Sequence, residues 1–188
     1  MNHSELLAEP RARATRILLI SNLVLAVLPS SVAFAVGNSI WGVGIFSVGF
    51  CVLAFMMAAG GGTLGRIGLG CALIGQVALV TAALAGHPWQ LDSHMLFFAA
   101  LAMLIILVDS SVILAATVLI VLHHLSLSIL VPNMIYPGGD VMTSIARTLV
   151  HGAIVAVETA VLVYSVQVRT SQSRATALNG EKLEQALA

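Results

Sequence analysis

The chain has 188 residues, 59% of them hydrophobic and only 9% charged, with a formal net charge of zero. A soluble domain carries about 25% charged residues, so a surface that faces water all round is excluded, and the neutral balance leaves no electrostatic footprint for nucleic acid. Mean hydropathy is +1.04, and repeated apolar runs of about 20 residues predict a polytopic membrane protein.

Residues 1–14 read as a polar N-terminal segment, expected in the cytoplasm, with His3 solvated and Arg11, Arg13 and Arg16 at the approach to the first run. That run is too long for a signal-peptide core, and Asn38-Ser39 after it offers no cleavage pattern, so a retained helix is expected. Helix one is predicted over Thr15–Val36, kinked at Pro29, and helix two over Ile40–Ala59. Gly60, Gly61 and Gly62 open a turn that ends near Arg66, and helix three follows over Ile67–Ala85. After the loop Gly86-His87-Pro88-Trp89-Gln90 comes helix four, Leu91–Val108; Asp109 is expected to cap helix five, Val112–Val131. Pro132-Asn133 and Pro137-Gly138-Gly139-Asp140 close the next loop, and helix six runs from Val141 to about Gln167. Cys51 and Cys71 fall inside apolar runs and read as buried thiols. The expected fold is therefore all-α, a six-helix transmembrane bundle over residues 15–168. Residues 169–188 are expected to be a cytoplasmic helical linker or tail, against which Asn179-Gly180 counts.

Seven of the eight basic residues, Arg11, Arg13, Arg16, Arg66, Arg169, Arg174 and Lys182, fall at one set of helix ends. The positive-inside rule then puts both termini in the cytoplasm, with Trp41 and Trp89 as interfacial aromatics on the opposite side. Arg147 is the exception, inside the outer end of helix six, where it needs a partner or a water-filled cavity.

Against this apolar background His123 and His124 stand out in helix five. A polar group left unpaired in hydrocarbon costs roughly 2–7 kcal/mol, so the pair needs partners. At 1.5 Å of rise per residue, His94 lies about 6 Å below the outer boundary, His123 and His124 about 11 Å, and His151 about 15 Å. Helices four to six thus bring four imidazoles to one outer-leaflet layer, and short loops make these helices antiparallel neighbours. Thr148, His151, Val155 and Glu158 share one face of helix six, with Arg147 beside His151. His87 and Asp92 approach from above. One buried imidazole is usually structural; four at matched depth, with a glutamate, predict a metal site. The expected ligands are His94, His123, His124, His151, Glu158, Asp92 and His87, with Arg147 and Thr148 around them. Imidazole suits zinc, copper, iron and nickel; copper or iron is favoured here, as one ion or two. The methionines Met95, Met103, Met134 and Met142 would suit Cu(I), though packing is their commoner role.

The residues Gly86-His87-Pro88-Trp89-Gln90-Leu91-Asp92-Ser93-His94-Met95, then Phe97-Phe98-Ala99, Asp109, His123-His124-Leu125, Pro137-Gly138-Gly139, His151-Gly152 and Glu158 form an ordered set. Over residues 86–165 the set resembles the polytopic sensor region at the N-terminus of some bacterial methyl-accepting chemotaxis proteins, with related regions on histidine kinases and cyclic-di-GMP enzymes. Some of those relatives carry a second histidine where this chain has Leu96. The resemblance implies an input domain in the bacterial inner membrane, a homodimer, and a cytoplasmic signalling module fed by helix six.

The leading expectation is a membrane-embedded metal-binding sensor rather than an enzyme. The HxxxH and HxxHH boxes of membrane hydroxylases are absent, as is a GxSxG nucleophile. A haem-binding or proton-coupled membrane protein is the alternative, since facing histidines ligate b-type haem and His/Glu/Arg chains relay protons.

Overall fold

The computed structural model describes residues 7–138 and 140–187. His3 and Gly139 lie outside the described residues, as do the first six positions of the N-terminal segment. Every regular element among the described residues is helical. They are α1 (Ala8–Ala35), α2 (Ile40–Gly60), α3 (Gly62–Ala83), α4 (Pro88–Leu107), α5 (Ser110–Leu130) and α6 (Val141–Leu187), six helices long and apolar enough to cross a membrane. Their outward faces carry large hydrophobic side chains, Phe34 at 80% and Trp41 at 75% exposure among them. An envelope of this kind is stable only against another apolar phase. The architecture is compatible with a multi-pass membrane protein.

α3 is the central helix, packing on α1, α2, α4 and α5, while α6 packs mainly along α5. Leu69, Ala72, Leu73 and Ile74 of α3 are wholly or almost wholly buried, against Leu101, Leu104, Val112, Ile113 and Ala116 of α4 and α5. Polar stitches sit inside this apolar packing. The Gln76 side chain donates to the Ser47 carbonyl at 2.8 Å, and the Ser47 hydroxyl lies 2.5 Å from Gln76 Oε1 and 2.9 Å from the Ala26 carbonyl. These bonds tie α1, α2 and α3 where no water competes.

Four boundaries differ from those the sequence suggests. α1 begins at Ala8 rather than Thr15, with Pro10 in its first turn, where an amide needs no intrahelical partner. α3 begins at Gly62 rather than Ile67, because Gly61 and Gly62, both at φ of 63°, complete the turn by themselves. α4 is α-helical only over Met95–Met103, with 3-10 turns at Pro88–Gln90, Asp92–His94 and Leu104–Leu107. Its irregular start follows from Pro88 at the first position and from His87, whose Nδ1 accepts the Trp89 amide. α6 runs unbroken past Gln167 and through Asn179-Gly180 to Leu187.

At the end of the bundle where α4 meets α5, Val108 holds a left-handed conformation, φ 49° and ψ 49°, which is strained for a β-branched residue. Hydrogen bonds fix it from both sides. Arg11 donates to the carbonyls of Leu107 at 3.2 Å and Val108 at 2.9 Å. Asp109 caps α5 by accepting the Ser111 amide at 3.1 Å, and its other oxygen takes two bonds from Arg66 at 2.7 and 2.9 Å. The expected cap is present, with an ion pair that local sequence did not announce. Replacing Val108 by glycine removes the steric penalty, about 1–2 kcal/mol, against some loss of packing and added freedom in the unfolded chain. Val108→Gly is expected to stabilise the bundle by up to about 1 kcal/mol; a lowered midpoint in thermal unfolding would show that the conformation carries no strain.

Candidate functional site

Each of the last three helices contributes one imidazole to a common layer. His94 ends the second 3-10 turn of α4, His124 lies on the buried face of α5 with Ile120 and Ser128, and His151 lies in the upper part of α6. The His94 ring is 5.3 Å from that of His124 and 5.7 Å from that of His151, centroid to centroid. His94 is 1% exposed.

All three rings make the same local bond. Nδ1 of His94 meets the Gln90 carbonyl at 2.9 Å, Nδ1 of His124 the Ile120 carbonyl at 2.9 Å, and Nδ1 of His151 the Arg147 carbonyl at 2.8 Å. A carbonyl oxygen only accepts, so Nδ1 carries the proton in each ring. In its neutral form each ring then keeps Nε2 as a lone pair, and each is oriented by its own helix four residues back. Nε2 of His94 is buried with no hydrogen-bond partner. The three rings, with Thr148, Phe97 and Val155, line a cavity of about 30 Å³. That is room for one water-sized species, since one needs roughly 10–15 Å³ by the same measure.

A polar brace holds this layer from the loop side. Tyr136 is fully buried, and its ring stacks on His94 at 5.2 Å and 13°. Its hydroxyl lies 3.3 Å from Thr148 Oγ1, which is itself 2.6 Å from Ser128 Oγ. The Arg147 guanidinium carbon stands 5.8 Å over the Tyr136 ring. Burial pushes the Tyr136 phenol above its ordinary value, against smaller opposing effects of Thr148 and Arg147, so the hydroxyl keeps its proton at neutral pH. Gln90 fastens the same corner, accepting the Gly86 amide at 3.1 Å and donating to the Asn133 carbonyl at 3.3 Å.

The remaining expected site residues stand apart from this trio. His123 is next to His124 in sequence and its ring is 5.3 Å away, but it lines a different cavity with Leu127 and Met134. His87 is occupied as the cap of the turn at Pro88 and packs edge-on against Trp89 at 5.4 Å. Asp92 is exposed. Glu158, two turns along α6 from His151, is half-buried outside the cavity wall, and its Oε2 has no hydrogen-bond partner. Thr148 lies in the wall; Arg147 lies behind Tyr136. Among the described residues no three His, Cys, Asp or Glu side chains form a ready metal-holding group. The arrangement is one imidazole, His94, in contact with two others beside a small space, not a closed cage. Tyr136, Gln90 and Ser128 were missed by sequence reasoning; only the position of Tyr136 between Pro132 and Pro137, in a stiff loop over the histidine layer, hinted at it.

No protein-family model, curated protein or solved structure matches this chain.

Proposed function

We propose that the chain is a membrane-embedded sensory input domain that binds one transition-metal ion, copper or iron, through His94, His124 and His151. The observation that carries this reading is the shared contact of Nδ1 with a backbone carbonyl four residues back. In the neutral form it leaves three Nε2 lone pairs without a proton, and a backbone carbonyl is a common second partner of a metal-bound imidazole. The two spacings from His94, 5.3 and 5.7 Å, are near this geometry: with metal–nitrogen bonds of about 2.0–2.1 Å, two imidazoles on one tetrahedral ion have centroids about 5 Å apart. The small cavity favours one ion over two, and it is far too small for a porphyrin. When bound, the ion would supply a centre whose charge or ligation changes with the stimulus; the protein's part is to hold the three rings and exclude water.

In this reading the basic residues Arg11, Arg66 and Arg169 mark the cytoplasmic side of a bacterial inner membrane. The imidazole layer lies in the outer half, and α6 carries its state inward to a signalling module in a homodimeric, chemoreceptor-type protein. Coupling requires two arrangements of α4–α6 with different affinities for the stimulus. A second reading, a metal-free proton-responsive cluster, draws on Arg147, whose Nη1 is buried without a partner close to Tyr136 and His151.

Elemental analysis of detergent-purified protein decides between them. About one copper or iron per chain is expected, lost in His94→Ala; metal-free protein that rejects added Cu(I), Cu(II) and Fe(II) would leave the proton-responsive cluster.

A further inference from the structure

The neighbour of His124 has a cavity of its own. A cleft of about 690 Å³ lies between α2, α3 and α5, bounded by Phe46 and Phe50, by Gly75 and Ala78, and by His123 and Leu127. Its size falls in the range of about 300–1,000 Å³ typical of small-molecule sites. Phe50 lies close against α3 because Gly75 has no side chain; a Cβ there would come within 2.5 Å of the ring. Phe46 is exposed at the rim, so the cleft opens on the apolar flank of the bundle, and Asn38, Ser39 and Met134 carry its wall up to the connecting loops.

Asn38, at the loop end of the wall, already donates to the Ala83 and Ala85 carbonyls; His123 is the polar side chain of the wall that lies away from the loops. Unlike His94, His124 and His151, its ring nitrogens make no hydrogen bond to any described residue; the ring meets only Phe97 at 6.0 Å and His124 at 5.3 Å. It therefore retains both a donor and an acceptor, in a setting where an unpaired polar group is costly. α5 ends at Leu130, which places His123 about 10 Å below that end. A phospholipid cannot satisfy the ring at this depth, because its ester and headgroup oxygens stay near the interface while only hydrocarbon reaches down. The occupant must be lipid-soluble and carry an oxygen well inside the bilayer, and the floor of small residues facing two phenylalanine rings suits a flat ring.

We propose that this cleft binds a lipophilic quinone or quinol, with His123 hydrogen-bonded to a ring oxygen. The site is separate from the three-imidazole cavity and does not depend on a metal there.

The test uses the full chain in phosphatidylcholine nanodiscs with decylubiquinone as probe, read by quenching of intrinsic tryptophan fluorescence; Trp41 is adjacent to Gly42 of the cleft wall. Saturable quenching is expected in the wild type. It should weaken at least about tenfold in His123→Leu, which cannot hydrogen-bond, and in Ala78→Phe, which fills the cleft, and stay within a few-fold in His123→Gln, whose amide can. Far-ultraviolet circular dichroism checks that each variant is folded. Linear quenching identical in all four proteins would mean partition into lipid and overturn the site. Saturable quenching indifferent to both disabling variants would overturn it as well. Metal content should not change in His123→Gln; a fall there would assign His123 to the metal layer and overturn the separation drawn here.

Discussion

Replacing His124 by alanine is expected to remove bound metal, whereas His123→Ala leaves it near the wild-type level. The two residues are adjacent and identical, so composition, hydropathy and charge cannot account for a difference. Geometry can. His124 is buried, bonded through Nδ1 to Ile120 and in the wall of the small cavity, while His123 lines the large cleft. Disturbing a residue that merely supports a ligand weakens metal sites by about 10–100-fold, so deleting one of the three proposed ligands should exceed that. The comparison is metal per chain after dialysis against a weak chelator, for His94→Ala, His123→Ala, His124→Ala and His151→Ala. Equal losses for His123→Ala and His124→Ala would mean that the layer binds as a general histidine patch and not as the trio.

A second large effect is expected far from the histidines. Arg66→Ala leaves Asp109 with a carboxylate that is 9% exposed and has lost its ion-pair partner. Breaking a buried pair from one side costs about 3–5 kcal/mol, and here the same carboxylate also caps α5 and stands next to the strained Val108. Asp109→Asn should be milder, because an amide oxygen can still cap the helix and Arg66, at 16% side-chain exposure, can turn toward water. The double variant Arg66→Met, Asp109→Asn should recover much of the loss, since it removes both charges together. Unfolding in a denaturing-detergent titration gives the three values. Arg66→Ala within about 1 kcal/mol of wild type would mean the pair behaves as a solvated surface bridge.

The sequence made the helices legible because six apolar stretches of about 20 residues leave few other solutions for backbone polar groups in lipid. It made His94, His124 and His151 legible as a layer because helix rise converts residue number into depth. It could not separate His123 from His124. The buried face of α5 runs through Ile113, Ala116, Ile120, His124 and Ser128, a regular helical spacing, but the opposite face is equally apolar, so hydropathy shows no direction. Asp92 and His87 were expected at the site by proximity along the chain; the 3-10 turns at the start of α4 leave Asp92 exposed and occupy His87 as a cap. The pair of Arg66 with Asp109 spans 43 positions. No local pattern encodes it, since each residue has an adequate reason to stand in its own connection.

The unbroken length of α6 sets how any change at His151 is delivered. From His151 to Leu187 is 36 residues, and at 3.6 residues per turn that is about ten whole turns. His151 and Leu187 therefore stand on the same meridian of one rod, about 54 Å apart. A twist of the upper helix about its axis arrives at Leu187 with the same sign and angle, apart from any torsional give at Gly180. A tilt, by contrast, is magnified by distance. If the imidazole layer pivots α6 near the level of Val108, the far end swings in proportion to the arm below that pivot. Twist and tilt can be told apart by spin labels at Thr176 and Leu187: tilt displaces the lower label more, while twist turns both equally.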